Sequence, residues 1–476
     1  MGLPGLRFAS PGCVVRAGEL PDSARFAIEV SRLLVYQTAC RCKSNKLNNT
    51  GRYARGRSLC LPGGQGTEGT MDSMGRRVVV AALLCAATVT GGVHPALGSG
   101  FGIFTQGASA LGQADAVVAH GDGPSALFFN PAQINGLAGT QLEFGTTLIF
   151  PHREYKDSSG DVSHTKDSVF YPSSFYLTHA FNDSISAGLA VFNPFGLGTD
   201  WGGDWPGRYI ATTSKITTYN INPVVSWRIA PFLSIAAGLD IVQLDATFKN
   251  KIFTPSGDVK QKFTGDGTGL GYNLGLFIDA GKGITIGASY RSEVKIDIDG
   301  KDEFSPAVYP DMDGKTSLKL PQQVLAGVAW QASDRLVVET GMRWEDWRSF
   351  KQLRISLDQP GGGSTVATYP RNWHSTFAVN AGGKYRFNDS LSIMAGYLYG
   401  WNPVPDSTFE PAIPDSDSHL FCLGGELRRG SMTLSLGYGY QLQKGRSKST
   451  NQYGSVANGD YDSDLHLLAL SLGYRF

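Results

Sequence analysis

Charge is scarce in this chain of 476 residues: Asp, Glu, Lys and Arg make up 17%, and their formal sum is +1. Nucleic-acid binding needs a basic surface that releases counterions, and this composition offers none. Long apolar runs are missing as well. No stretch of about 18 uninterrupted apolar residues occurs, so no helix is predicted to cross a bilayer. A β-barrel escapes that test, because lipid-facing and lumen-facing residues alternate along its strands and average to a hydropathy near zero, here −0.14. Cysteine is sparse where it would count. Cys13, Cys40, Cys42, Cys60 and Cys85 precede residue 98, which leaves Cys422 alone downstream and excludes an intrachain disulfide there. Cys40-Arg41-Cys42 lacks the second ligand pair that a zinc site needs.

What the chain does have is 60 Gly, 25 Phe, 19 Tyr and 8 Trp, a balance that favours strands and tight turns over soluble helices. Arg76-Arg77, the apolar run Val78 to Thr90 and the small residues of Ala96-Leu97-Gly98 predict a secretory signal over 71–98, cleaved after Gly98. Leu84 before Cys85 is too large for a lipoprotein cleavage site. Residues 1–70 then stand upstream of the signal, and two readings are open: a misassigned start, with translation from Met71 or Met74, or a disordered, lineage-specific extension. The first 98 residues hold 12 of the 42 basic and 5 of the 41 acidic residues, so the mature part keeps 30 and 36, a net of about −6.

From residue 141 onward, apolar and small or polar residues alternate in segments of about ten, divided by polar turns. In 431–442, Met432, Leu434, Leu436, Tyr438, Tyr440 and Leu442 share one face, and the other is serine, threonine, glycine and glutamine. That second face is too small and polar for the core of a sandwich, so the apolar face is predicted to meet lipid. Tyr397, Tyr399, Tyr438, Tyr440 and Tyr474 fall where aromatic girdles belong. Fourteen such segments are read: 141–150, 173–181, 184–193, 214–229, 233–248, 268–281, 283–298, 316–331, 335–347, 371–387, 389–401, 417–429, 431–444 and 464–476. The fold class predicted is therefore all-β, a 14-stranded antiparallel transmembrane barrel over 141–476, its short turns periplasmic and its long loops, such as 151–172, 299–315 and 444–463, outside. Phe476 ends the last alternating strand as the C-terminal aromatic that barrel assembly machinery recognises.

Three features depart from an open pore. Residues 99–140 carry Phe101, Ile103, Phe104, Leu111, Phe128, Phe129 and Ile134 without alternation, and the barrel lumen is the apolar place left for them; they are predicted to form an N-terminal hatch. Asn193-Pro194-Phe195-Gly196 must break or bulge the third strand, because proline cannot donate to the ladder; a lateral opening and an ordinary strand end are both consistent with it. Met394, Leu398, Leu325 and Val337 count as inward, which suits either a greasy ligand or contact with the hatch.

At this point the sequence resembles the FadL-type long-chain fatty acid transporters (OMPP1/FadL/TodX-like), which include relatives that import aromatic hydrocarbons. Ser99-Gly100-Phe101, Gly112-Gln113-Ala114 and Asn130-Pro131-Ala132 resemble that family's hatch. Asn193 to Thr199, Gly207-Arg208-Tyr209 and Asn220-Ile221-Asn222-Pro223 resemble its third- and fourth-strand region. Leu320-Pro321, Trp344-Glu345-Asp346-Trp347 with Phe350, and Pro403-Val404-Pro405 through Ile413-Pro414-Asp415 continue the likeness over essentially all of 99–476. The resemblance implies passive uptake of a hydrophobic ligand, a long-chain fatty acid or hydrocarbon, without cofactor or metal. Phe101 would touch the ligand pocket, Asn130, Pro131 and Ala132 would shape the hatch, and Asn193, Pro194, Phe195 and Gly196 would form a lateral gap through which the ligand leaves into lipid. No motif matches the family's basic carboxylate-binding residues; Arg371, Arg343 and Lys249 are the stand-ins, and fatty acid against neutral hydrocarbon stays open. Lipid and lipopolysaccharide of the outer membrane and the assembly machinery are the other implied partners.

Two rivals remain. One is a general or aromatic-hydrocarbon porin, and a general porin would leave residues 99–140 without a role. An outer-membrane lipid-modifying enzyme would need a Ser/His site, yet His120, His152, His164, His179, His374, His419 and His466 are scattered and no Gly-x-Ser-x-Gly elbow accompanies them. Gly265, Gly267, Gly269 and Gly271 open no helix and so predict no phosphate cradle. Asp460-x-Asp462-x-Asp464 lacks the glycine and distal glutamate of a calcium loop.

Overall fold

The computed structural model describes residues 100–450 and 452–476; the signal segment 71–98, the upstream 1–70 and Ser99 lie outside the described residues. Fourteen antiparallel strands form one closed wall. They are β1 (Thr140–Lys156), β2 (Ser173–Ala180), β3 (Ile185–Phe192, resuming as Gly196–Asp200), β4 (Thr213–Ala230), β5 (Leu233–Ile252), β6 (Val259–Gly281) and β7 (Ile284–Arg291, then Val294–Ser305). The second half is β8 (Met312–Leu320, then Gln323–Ser333), β9 (Leu336–Glu345, then Gln352–Asp358), β10 (Ser364–Pro370, then Thr376–Arg386), β11 (Leu391–Gly400), β12 (Ser418–Arg429), β13 (Met432–Gln443) and β14 (Gly459–Arg475). Each pairs with its neighbours in sequence, except that Gly196–Asp200 of β3 pairs with β4 alone, and β1 closes on β14 from Gln141↔Arg475 to Lys156↔Asp460, which completes the wall.

The alternation fixes which face is which. Leu468, Leu470 and Leu472 on β14 stand outward and exposed, as do Leu270, Tyr272 and Leu274 on β6, with Leu270 at 74%. An apolar belt this continuous is stable only against lipid. Opposite them, Ser435, Ser471, Thr147 and Ser226 are buried against the lumen contents. The tetrapeptide Phe-Asn-Asp-Ser occurs twice as a turn, at 181–184 and 387–390. In both copies the asparagine Oδ1 accepts two backbone N–H groups at 2.9 Å, Ser184 and Ile185 in one and Ser390 and Leu391 in the other.

The strands are longer than the alternation suggested at their outer ends. β6 begins at Val259 rather than 268, and most of 299–315 is ladder, with Val294–Ser305 and Met312–Leu320 paired across a short turn. Above the membrane the outward residues are charged, as in Asp297, Asp299, Lys315 and Lys319, so the apolar alternation that marks a strand fades while the hydrogen bonding continues. Gly265 to Gly271 lie within β6, in a strand and not at a helix start.

Residues 100–139, the segment expected to form the hatch and called so below, pack against the wall strands, with short helices over Ala108–Gly112 and Ala126–Phe129 and a 3-10 turn over Pro131–Gly136. Phe101, Phe104, Leu111, Phe128, Phe129 and Ile134 are all buried. Burial of a large apolar side chain contributes about 1.5–3 kcal/mol, so six of them hold a segment with little regular structure in place. Met394 and Leu398 do face inward; Met394 Sδ accepts from the Ser109 hydroxyl at 3.3 Å, and Leu398 packs with Leu111 and Ala114.

Candidate functional site: a hatch, a strand break and the cavity between them

The hatch is seated by its backbone. Glu339, on the inner face of β9, accepts from Val118 N–H at 2.7 Å, Ala119 N–H at 2.9 Å and His120 Nδ1 at 2.7 Å. Asn130 caps the 3-10 turn: its Oδ1 accepts from Ala132 N–H at 3.2 Å, while its Nδ2 donates to Val118 O within the hatch and Leu276 O on β6, both at 2.9 Å. Pro131 opens that turn at the position where a missing N–H costs nothing. Asp122 meets Lys384 and Arg428, each at 2.7 Å, in an ionic cluster with Glu426. Wall glycines admit the hatch backbone: a Cβ on Gly287 would fall 1.9 Å from Val118 O, and one on Gly382 would fall 2.1 Å from Gln113 O.

The third strand stops at Phe192 and resumes at Gly196, and β2 pairs with the lower half alone, from Phe175↔Val191 to Ala180↔Ser186. Asn193 spans the interruption, accepting from Ser173 N–H at 3.0 Å and donating to Thr218 O at 2.5 Å. The free edge above it must find partners, since buried backbone polar groups rarely go unpaired. The hatch supplies the first two. Ile103 N–H donates to Pro194 O at 2.8 Å and Gly196 N–H donates to Phe101 O at 2.9 Å, so Gly102 and Phe195 face each other as a bridge pair. Arg153 Nη1 donates to Gly198 O at 2.8 Å, and Lys166 N–H donates to Asp200 O at 2.7 Å. The start of the hatch thus takes the place of β2 along the break.

Behind the break lies a cavity of about 670 Å³, lined among others by Phe101, Ile103, Asn193, Phe195, Gly196 and Leu398. Phe101 joins the cavity to an aromatic cluster, with ring centroids 6.0 Å from Phe195, which also lines the cavity, and 4.6 Å from Trp347 and 6.0 Å from Trp373, which do not. The structure therefore brings Phe101 together with Asn193, Phe195 and Gly196. Pro194 joins them through its carbonyl, and Asn130, Pro131 and Ala132 belong to the hatch seat instead. Phe476 stands at the barrel end, 71% exposed, its N–H donating to Thr140 O.

Of the three basic stand-ins, Arg343 alone lines the cavity. Its guanidinium stacks 3.3 Å from the Phe104 ring centroid and its Nε meets Glu345 at 3.3 Å. Arg371 is turned away and bound to Glu410 at 2.6 Å, and Lys249 is exposed on the outer face of β5. Sequence reasoning missed Arg153, Asp415 and Phe170, all of which line the cavity. Arg153 Nε is buried with no hydrogen-bond partner among the described residues. Asp415 Oδ2 accepts from Gly100 N–H at 2.8 Å and so ties the start of the hatch to the loop between β11 and β12.

Burial pushes the Asp415 carboxyl up from 3.8 to about 8, against the opposing pull of the Gly100 N–H and Arg446. Across that interval the folded protein keeps a proton that the unfolded chain has released. Asp415 therefore makes stability fall as pH rises from 3.8, levelling off above about 8. The unmodified protein is expected to lose Tm between about pH 5 and 8 in detergent, and Asp415→Asn to flatten that decline. An unchanged slope would remove Asp415 from the pH response.

Among known proteins, the long-chain fatty acid transport protein of Escherichia coli O6:H1 is 21% identical over 336 residues, 60% of this chain and 74% of that protein. A crystal structure of a Pseudomonas aeruginosa FadL homologue shares the fold with a TM-score of 0.71 at 21% identity, covering 79% of this chain and 99% of that one. The Pseudomonas putida toluene transporter TodX does so with a TM-score of 0.65 at 17% identity, covering 79% and 99%. The profile of the outer membrane protein transport protein family (OMPP1/FadL/TodX) matches residues 89–476, which take in the whole hatch and every wall strand, and the chain belongs to that family of the Gram-negative outer membrane.

Proposed function

We infer that this protein is a passive channel, not an enzyme, that takes hydrophobic compounds from outside the cell into its cavity and releases them sideways through the break in β3, with long-chain fatty acids as the favoured class. The observation that carries the reading is the cavity itself, bounded on one side by Phe101 and Ile103 of the hatch and on the other by Gly196 to Thr199, the edge of β3 that β2 leaves uncovered. The hatch obstructs the straight path to the periplasm. A ligand leaving through the break enters lipid and never exposes its apolar surface to water. Arg153 supports a ligand with an acidic head: its side chain lines the cavity, and guanidinium favours charge-assisted pairing with a carboxylate.

Neutral aromatic hydrocarbon is the second reading, favoured by the rings of Phe101, Phe195 and Phe170 and by Asp415, a carboxyl that would repel an anion once ionised. Transport in place of catalysis is supported by His120, His179, His419 and His466, which bond Glu339, Thr140, Tyr397 and Tyr438 rather than a serine hydroxyl. Lipid and lipopolysaccharide would meet the outward belt, and the assembly machinery would read Phe476.

The test is uptake of a labelled long-chain fatty acid, with toluene in parallel, by cells making either the unmodified protein or one in which residues 193–196 are replaced by Thr-Val-Thr-Val to straighten β3. Loss of fatty acid uptake by about tenfold with the barrel still assembled is the expected result. Uptake of toluene alone would select the second reading. Uptake of neither, or uptake indifferent to the replacement, would reject lateral delivery.

A further inference from the structure

The break is closed by two unlike parts. The hatch covers its lower edge through the pair of hydrogen bonds at Pro194 and Gly196, whereas the segment that precedes β2 covers its upper edge. In that segment Phe170 is fastened to β1 by reciprocal backbone hydrogen bonds with Ile149, at 2.8 and 3.0 Å, which make an isolated bridge. Its ring crosses the break and rests on Gly198. A Cβ on Gly198 would fall 2.0 Å from the ring's Cζ, and no left-handed backbone calls for glycine at that position, so the missing side chain serves as the seat of the ring.

We propose that Phe170, seated on Gly198, sets the breadth of the ligand that can leave the cavity sideways, passing narrow unbranched chains and holding back broad ones. The assignment rests on the lateral-delivery reading above. When the hatch strand withdraws from Pro194 and Gly196, the bridge to Ile149 still holds Phe170 in place. The remaining aperture is then bounded by a ring that the hatch does not carry away. Replacing the ring by a methyl group widens the aperture without touching the hatch, the Asn193 span or the hydrogen bond from Arg153 to Gly198.

Phe170→Ala and Phe170→Trp in the full-length protein test this with two ligands, octadecenoic acid and a fatty acid ending in a pyrene ring. The ratio of broad to narrow uptake is expected to rise about tenfold in Phe170→Ala and to fall in Phe170→Trp. Equal ratios in all three proteins with uptake preserved would overturn the proposal. A second readout does not need transport. A cysteine at Leu398 in the cavity, with Cys422→Ser, is labelled by pyrene-maleimide dissolved in the bilayer while glutathione in the water scavenges stray reagent. Labelling about tenfold faster with Phe170→Ala supports Phe170 as the guard of the opening, and an unchanged rate overturns it. If the unmodified protein takes up neither acid, the delivery reading fails and the labelling rate alone decides the role of Phe170.

Discussion

Cysteines introduced at Gly102 and Phe195 are expected to stop uptake on oxidation and restore it on reduction. The hydrogen bonds from Ile103 to Pro194 and from Gly196 to Phe101 flank this pair, which makes it the non-hydrogen-bonded position of an antiparallel bridge, where side chains approach most closely. A Cβ at 102 first meets the far end of the Phe104 ring, which can turn aside. The crosslink would fix the start of the hatch on the free edge of β3 without adding bulk to the opening. Any ligand that must displace Phe101 and Ile103 to reach lipid would be trapped in the cavity, and oxidised cells should lose about tenfold or more of the uptake seen after reduction. Cys422 is buried against the hatch and does not compete for the new thiols. Undiminished uptake with the disulfide demonstrably formed would mean that the hatch strand need not leave β3, and the exit would have to be sought elsewhere.

Gly287→Leu is expected to turn a closed barrel into a conducting one. Any side chain at this position collides with the carbonyl of Val118, whose N–H is at the same time tied to the wall by Glu339. Overpacking typically costs about 1–3 kcal/mol where neighbours can shift, and here the neighbour is a backbone carbonyl in the middle of the hatch seat. The hatch should leave its seat while the wall, whose ladder is unaffected, still assembles. Single-channel conductance in planar bilayers is predicted to rise about tenfold over the unmodified protein, and large hydrophilic antibiotics should enter the cells. Gly136→Ala is the control, since nothing lies within 4 Å of a Cβ there. Glu339→Ala leaves the wall backbone untouched and removes charge-assisted hydrogen bonds worth about 1.5–3 kcal/mol each, so it should loosen the same seat by a different route. Silence in both variants would show that the hatch does not depend on Val118 and its neighbours for its position.

Period-two alternation determined much of this protein by itself. It placed the wall strands, separated lipid face from lumen face and located the interruption at Asn193 to Gly196, because side-chain direction in a strand follows from parity and proline's missing donor is local. The apolar residues of 99–140 pointed to the lumen by the same logic, since a segment that rich in phenylalanine has no stable place in water. Parity ended where the outward surface turned polar above the membrane, and the outer ends of β6 (259–267), β7 (299–305), β8 (312–315), β9 (352–358) and β10 (364–370) read as loops there.

The site was only half legible. Phe101 and the break residues meet because Gly102 bridges Phe195, a pairing between segments some ninety positions apart with no local signature. Arg371 and Lys249 were reasonable basic stand-ins, yet Glu410 claims the first and the outer face claims the second, outcomes set by loop packing and strand register. Arg153 and Phe170 look ordinary in sequence, and Asp415 stands out there only as the end of Ile413-Pro414-Asp415, with no role attached. They gain their positions when β1, the segment before β2 and the loop after β11 converge on the unpaired edge of β3. A broken strand leaves backbone groups that something must satisfy, and which side chains do so is decided in three dimensions.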